Sequence, residues 1–345
     1  MTPPVSDPTR PVNACIQVPF SQLSDRLAAA ARSIGMSPDV REASLDLVLS
    51  RGRIHAGEDS GATSVTLTGH DAIGLQVLRD LLARLAGMME VELEWAEPLP
   101  IGLPANLSLA RVEAVTRISP AFLRFEVSGP DLQRFASGGL HFTLPQGPAD
   151  ADLPFTDEGG VTTWPGGIAA WHRPVFTTRE VRTGTAGATI VFDVFLHPDG
   201  RTPNWATGVS AGDTIALMGP TGSGLPGPTG FLGIVADETG IPVAARLLSE
   251  AAPDTRGEAV LFVPDREDIQ SIAHPSGLDI RWVVRGTGET PVSALSDMQV
   301  PDTDRYVLVA AEKAEAAEAR RILTDRGFQR GEFLAAAYWT AREAP

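Results

Sequence analysis

The chain holds one cysteine, Cys15, so it forms no internal disulfide and cannot alone ligate a cysteine-held iron–sulfur cluster. Its six histidines (His55, His70, His141, His172, His197 and His274) include no pair at zinc-ligand spacing, which argues against a structural metal. Basic residues are in deficit: Lys plus Arg is 28 and Asp plus Glu is 43, giving a net charge of −15 and a pI of about 4.8. That balance speaks against a nucleic acid or an anionic membrane as partner, while leaving room for a local basic pocket. No apolar run reaches the length of a membrane span, and the opening residues are polar and proline-rich rather than an apolar leader. The expectation is a cytoplasmic protein. What is present is ordinary: 345 residues, 43% hydrophobic, mean hydropathy +0.01, enough for two or three cores.

Residues 1–12 carry four prolines and read as a disordered lead-in. Ser21, Leu23, Leu27, Ala30, Ala31, Ile34 and Gly35 predict a helix with a serine N-cap and a glycine stop. Val65–Thr68 predicts a strand, Asp71 a helix cap for Leu75, Leu78, Leu82 and Leu85 ending at Gly87, and Val91–Trp95 a half-buried strand. Prolines 98, 100 and 104 mark a boundary, making 13–97 a small α+β domain. Beyond Leu107 helical periodicity fades. Short apolar runs (Phe122–Val127, Leu140–Leu144, Thr189–Leu196, Thr214–Met218) recur between turns, which predicts a β-barrel or sandwich over 105–226. Gln146–Gly167 reads as a long loop inside it. Residues 227–345 alternate strands (Gly230–Ala236, Ala259–Pro264, Ile280–Arg285, Tyr306–Ala310) with helices (from Pro242; Ala314–Asp325), which predicts a parallel sheet.

Three stretches carry chemistry. In Arg173–Arg179, Phe176 offers a face to a flat heterocycle and Thr177 and Thr178 offer hydroxyls. Arg173 and Arg179 offer fixed cations for a pyrophosphate. A barrel strand with surface arginines is the alternative. In His197–Ala206, Asn204, Trp205 and Ala206 could begin a short helix over an anion, or form a plain turn over a buried tryptophan. Asp237, Glu238 and Thr239 sit at a strand-to-helix turn, where parallel sheets bind nucleotides, although two acids there would repel a diphosphate. His55 and His70 read as surface or packing residues.

In this order the motifs resemble one family. Phe-Thr-x-Arg, His-x-x-Gly-x-x-x-x-Trp-Ala, Gly212-Asp213, Gly219-Pro220 and Asp-Glu-Thr-x-x-Pro are similar to the siderophore-interacting proteins, flavin-dependent ferric-siderophore reductases. The likeness runs from about Leu107 to Glu343, supported by Pro120–Arg124, His141–Pro145, Ala311-Glu312 and Tyr338-Trp339. It implies a multidomain fold: the small N-terminal α+β domain, an antiparallel FAD-binding barrel, and an α/β parallel-sheet nicotinamide-binding domain. It also implies FAD as cofactor, NAD(P)H or a small ferredoxin-type protein as donor, and a ferric siderophore as partner. FAD would be held by Arg173, Phe176, Thr177, Thr178, Arg179, His197, Asn204, Trp205 and Ala206, and the donor would meet Asp237, Glu238 and Thr239. No catalytic acid or base and no resident metal is expected. The chain departs from the family's pattern at Phe176, where a tyrosine is usual, at the spacing of Arg173, and at Ala236, Ala311 and Ala337, where glycines are usual. Two rival expectations follow: a flavin reductase of the same fold with another small acceptor, and a non-enzymatic ligand-binding relic. An Arg- or Lys-lined pocket, for which Arg111, Arg124 and Arg246 are candidates, would favour the siderophore.

Overall fold

A computed structural model of the chain describes residues 10–97, 101–198 and 200–341. Most of the proline-rich lead-in, and prolines 98 and 100 of the expected boundary, lie outside the described residues. The chain divides into two compact units: residues up to Leu107 together with Pro145–His172, and Ser108–Leu144 together with Arg173 onward.

In the first unit, β1 (Val12–Ile16), β2 (Asp39–Val40), β3 (Ser44–Leu49), β4 (Gly52–Asp59), β5 (Ala62–Gly69) and β6 (Glu94–Trp95) form one antiparallel sheet ordered β2-β3-β4-β5-β1-β6. Alternate residues (Leu45, Leu47, Ile54, Ala56, Val65, Leu67) share a core with α1 (Phe20–Ser33) and α2 (Ala72–Met89). Asp71 caps α2, its carboxylate accepting from the Gly74 amide at 2.6 Å. Three local expectations shift. The N-cap of α1 is Pro19, so Ser21 falls inside its first turn. Helix α2 runs past Gly87 because the left-handed residue that stops it is Glu90. Only Glu94 and Trp95 of the expected Val91–Trp95 strand pair with β1. On the sheet's other face His55 bonds the buried Asp46 at 2.8 Å.

The stretch read as a long loop is ordered against α2. It carries β10 (Phe155–Thr156) and β11 (Thr162–Thr163). Asp80 of α2 accepts from the Thr162 amide and hydroxyl, each at 2.8 Å, and Gln76 donates to the Gly160 carbonyl at 2.9 Å. Burial raises the Asp80 pKa, and these donors oppose that rise.

The second unit begins with an antiparallel sheet that curls into a half-barrel. It comprises β7 (Leu107–Ser119), β8 (Phe122–Gly129), β9 (His141–Thr143), β12 (Val175–Thr177), β13 (Glu180–Gly184), β14 (Gly187–Phe195) and β15 (Thr214–Thr221), ordered β12-β9-β15-β7-β8-β14-β13. Helix α3 (Arg201–Gly208) follows β14. A parallel sheet then forms from β16 (Phe231–Ala236), β17 (Arg256–Val263), β18 (Gly277–Val284), β19 (Arg305–Glu312) and β20 (Phe333–Trp339), ordered β18-β17-β16-β19-β20. Helices α4 (Ile241–Glu250), α5 (Pro291–Asp297) and α6 (Lys313–Asp325) connect it. Strand order reverses between β16 and β19, so the turns after these two strands flank the switch point at which such sheets bind ligands. Phe122 and Leu140 of the half-barrel are buried in the same core as Leu232, Ile234 and Leu261 of the parallel sheet.

Candidate functional site

Strand β12 is the edge strand that carries Phe176 and Thr177, and it pairs with β9 so that Phe176 lies opposite Phe142. The half-buried Phe176 ring stacks on Phe142 at 5.8 Å and leans on Phe192 at 5.3 Å. Phe192 stacks on Phe125 at 5.0 Å, and Phe125 on Trp205 at 5.5 Å. One run of rings therefore joins the β12 motif to the α3 motif, two stretches almost thirty positions apart in sequence. Trp205 and the buried Ala206 anchor α3 to the barrel core. The helix begins at Arg201 and not at Asn204, which is exposed and whose amide already donates to the Gly200 carbonyl at 3.2 Å; Gly200, the N-cap, offers the helix no side-chain cap. The Gly200 spacing from His197 has a steric cause: a Cβ there would sit 2.5 Å from the imidazole. His197 itself contacts Phe195 and its neighbouring carbonyl at Pro198.

Thr178 is fully buried, and its amide and hydroxyl both donate to the Leu140 carbonyl, at 2.8 and 2.9 Å. It fixes the strand rather than facing a ligand. Thr177 bonds His141 Nδ1 at 3.2 Å, and His141 Nε2 lies 3.4 Å from the Tyr338 hydroxyl. Burial lowers the His141 pKa below its ordinary value, so the ring is neutral at pH 7, and burial raises the Tyr338 phenol. Arg173 is exposed.

Arg179 shares a buried carboxylate. Asp193, whose side chain is inaccessible, accepts from Arg179 at 3.0 Å and from both arms of the Arg124 fork at 2.7 and 2.9 Å. Two guanidinium groups around one carboxylate leave a single net positive charge. Burial lowers the Arg179 pKa, opposed by Asp193. The sequence signal for Asp193 was an acid in the middle of an apolar run, and that for His141 and Tyr338 was only their place in supporting motifs. Arg111, Arg124 and Arg246 do not share a partner: Arg111 lies 4.0 Å from Glu113, and Arg246 pairs with Glu250 and donates to the Thr178 carbonyl.

At the β16–α4 turn the two acids are occupied. Asp237 Oδ1 accepts from the Thr239 amide and hydroxyl at 2.9 and 2.6 Å and from the Gly240 amide at 3.2 Å. Its Oδ2 accepts from Trp339 Nε1 at 2.7 Å. Burial raises the Asp237 pKa, with Thr239 and Trp339 opposing. Glu238 receives a two-bond fork from Arg285, both at 2.8 Å. The repulsion expected of this pair is thus largely met inside the protein. Ala236 and Ala311 are fully buried, each in a hydrophobic core flanking the parallel sheet.

The residues fit FAD on the structure's own terms. A half-buried aromatic and a helix start without a side-chain cap are joined by one run of rings, and the Arg124–Asp193–Arg179 group, with one cation in excess, lies on the same half-barrel. Among the described residues, no group of three or more His, Cys, Asp or Glu could hold a metal ion, and no helix is long and apolar enough to cross a membrane.

An antiparallel half-barrel followed by a parallel sheet whose strand order reverses between β16 and β19 defines a two-module architecture suited to a flavin and a second ligand. Residues 111–224 match the siderophore-interacting FAD-binding domain and residues 232–342 the siderophore-interacting protein domain. The chain is 30% identical over 246 residues to the NADPH-dependent ferric-chelate reductase of Escherichia coli, covering 69% of this chain and 93% of that one. It is 29% identical over 239 residues to the ferric vibriobactin reductase ViuB of Vibrio cholerae, covering 64% and 85%. A siderophore utilization protein from T. fusca superposes with a TM-score of 0.60 at 25% identity, covering 72% of this chain and 96% of that one. The chain belongs to the siderophore-interacting protein family.

Proposed function

We propose that the protein is an FAD-dependent oxidoreductase that reduces Fe(III) held in a siderophore, with NAD(P)H as donor. The observation that carries this reading is the ring stack from Phe176 to Trp205, which puts a ring-stacking strand and an anion-facing helix on one support. When bound, FAD supplies the change from two-electron to one-electron transfer that the iron requires.

The protein's part is to bind and orient. Phe176 offers a face to the flavin, and Thr177, held by His141, offers its hydroxyl. Arg179, with Arg124 and Asp193 behind it, and the first turn of α3, which begins at Arg201, meet the diphosphate. Thr178 and Ala206 support these groups from inside the fold. At the switch point, Asp237 and Thr239 shape the turn over which a nicotinamide dinucleotide would settle, and Glu238 fixes Arg285. No side chain is assigned as a general acid or base. This reading takes residues 105–226 as the FAD module and 227–345 as the nicotinamide module, with 145–172 belonging to the N-terminal unit. The compartment proposed is the cytoplasm, where the nicotinamide pool lies.

The test is a visible spectrum of the purified protein followed by an anaerobic assay with an Fe(II) trap. Yellow protein that releases FAD, and NADPH- or NADH-dependent Fe(II) formation from ferric siderophores, are the expected results. Protein that neither holds nor takes up FAD sinks the enzyme reading. Flavin reduced only by a ferredoxin-type protein replaces the donor. Efficient turnover of quinones with none of ferric chelates replaces the acceptor.

A further inference from the structure

Asp268 lies in a 3₁₀ turn (Arg266–Asp268) just beyond the C-terminal end of β17, on the ligand-facing edge of the parallel sheet. It is 1% exposed. Its Oδ1 reaches the half-barrel, accepting from the Ser119 hydroxyl at 2.6 Å and from the Ala121 amide at 2.8 Å. Both donors are neutral, and they bracket Pro120 in the tight β7–β8 turn. The same turn is held from its other side: the Ala121 carbonyl accepts from the Leu196 amide at 2.8 Å. Leu196 is the residue before His197, which packs on Gly200 at the start of α3. A short hydrogen-bonded path therefore runs from the nicotinamide-side sheet edge, through one turn, to the segment that leads into the proposed diphosphate helix.

A buried carboxylate is an expensive way to join two modules. Apolar contact between them already exists, since Phe122 is buried in the core of the parallel sheet. Replacing a buried polar group together with its partner by apolar groups of the same shape can be nearly neutral. What the carboxylate adds is direction: two short bonds to one oxygen admit one placement of the turn, where the Phe122 contact admits sliding. Hydride transfer is sensitive to such placement, because the reacting atoms must lie about 3–3.5 Å apart and a shift near 1 Å can cost ~100-fold.

We infer that Asp268 is a positioning residue for electron entry, fixing the donor-binding sheet edge in register with the FAD-binding half-barrel. The inference rests on the flavin-reductase reading above and goes beyond it by assigning a role to a residue that touches neither ligand. It predicts a loss in rate rather than in binding.

Three variants of the full chain test it: Asp268→Ala, Asp268→Asn, which keeps an acceptor oxygen for both donors, and Ser119→Ala, which removes one bond from the opposite side. In anaerobic stopped-flow, Asp268→Ala should reduce its bound flavin at least tenfold more slowly at saturating NADPH. Its FAD and NADPH dissociation constants should stay within threefold of wild type. Asp268→Asn should retain at least a third of the rate, and Ser119→Ala should fall between. Hydrogen exchange on the protein without FAD gives an independent readout, since the Ala121 and Leu196 amides should exchange at least tenfold faster in Asp268→Ala. An unchanged rate in Asp268→Ala overturns the inference. So does a loss of rate recovered by excess FAD, or an Asp268→Asn variant as slow as Asp268→Ala. A wild-type flavin that NADPH and NADH both fail to reduce refutes instead the donor reading on which the inference stands.

Discussion

Removing Asp193 should separate the fold from the cofactor site. Its carboxylate is inaccessible and bridges Arg179, whose side chain is 11% exposed, and Arg124, whose side chain is 27% exposed. Truncation to alanine leaves two like charges side by side, one of them nearly cut off from water. Breaking a buried pair by deleting one partner costs about 3–5 kcal/mol, and the lower end applies because Arg124 can still reach solvent. For a unit of roughly 200 residues each kcal/mol moves the melting temperature by about 2–4 °C, so the drop should be about 6–12 °C. FAD at 100 times its dissociation constant returns ~2.7 kcal/mol, and it should do so in Asp193→Ala, because Arg179 is then freed toward a phosphate. The informative partner is Asp193→Leu with Arg179→Met, which removes the two most buried charges and leaves only Arg124, whose side chain can turn to solvent. That protein should regain most of the melting temperature and lose FAD retention. The assay is differential scanning calorimetry with and without FAD, alongside fluorescence titration of the flavin. A drop below 2 °C for Asp193→Ala, or unchanged FAD affinity in the double variant, would refute the reasoning about Arg179.

Three further outcomes are expected. The folded pKa of His141 lies below its ordinary value of 6.5, so as pH falls through 6.5 the unfolded chain takes up a proton that the folded one does not. Stability is therefore full above that pH and declines below it, and His141→Gln should flatten urea stability measured between pH 7.5 and pH 5.5, both values chosen to straddle the ordinary one. Asp80→Ala strips the Thr162 amide of its acceptor at a cost of about 1–3 kcal/mol. Limited proteolysis should then cut between residues 147 and 168 several-fold faster than in wild type. Ala236→Gly and Ala311→Gly each remove a core methyl and loosen a strand, costing roughly 1–2 kcal/mol by melting. Neither should speed flavin reduction in stopped-flow, and a faster variant would show that these methyls do face the donor.

The sequence was legible where periodicity and turn chemistry agree. The half-barrel's apolar runs and the strand–helix alternation after Pro226 predict the two modules, and Asp71 predicts the start of α2. Reading failed where a tertiary partner decides. Strands β3 and β4 are not legible in the sequence: β3 places Asp46 between Leu45 and Leu47, and β4 mixes charge, glycine and histidine, so their pairing shows only in the sheet. Residues 146–167 look like loop because their order comes from Asp80 and Gln76 on a distant helix. Thr178 carried the same expectation as Thr177, yet one hydroxyl turns to the Leu140 carbonyl and the other to His141. Nothing in the order of residues separates two adjacent threonines; the pleat of β12 and the bond-rich start of the next segment do.

The charge of the chain raises a question that only the geometry answers, namely how a protein at −15 can hold an anionic dinucleotide. Net charge acts over distances at which salt screens it, about 8 Å at physiological ionic strength, whereas a bound phosphate senses the groups within a few ångströms. At the proposed sites three acids are turned inward and surrounded by donors, while the more exposed Glu126 and Glu180 are paired with Arg182. Asp193 lies between two guanidinium groups, Asp237 takes two amides, a hydroxyl and an indole, and Glu238 takes an arginine fork. In each case the carboxylate uses its lone pairs on the protein and shows little field outward. The glycines replaced by alanine fit the same pattern, because at Ala236 and Ala311 the added methyl fills core and leaves the turn as it was. The acids that remain free to shape the outer field sit elsewhere on the exposed surface, where they oppose self-association more than they oppose a ligand already in contact.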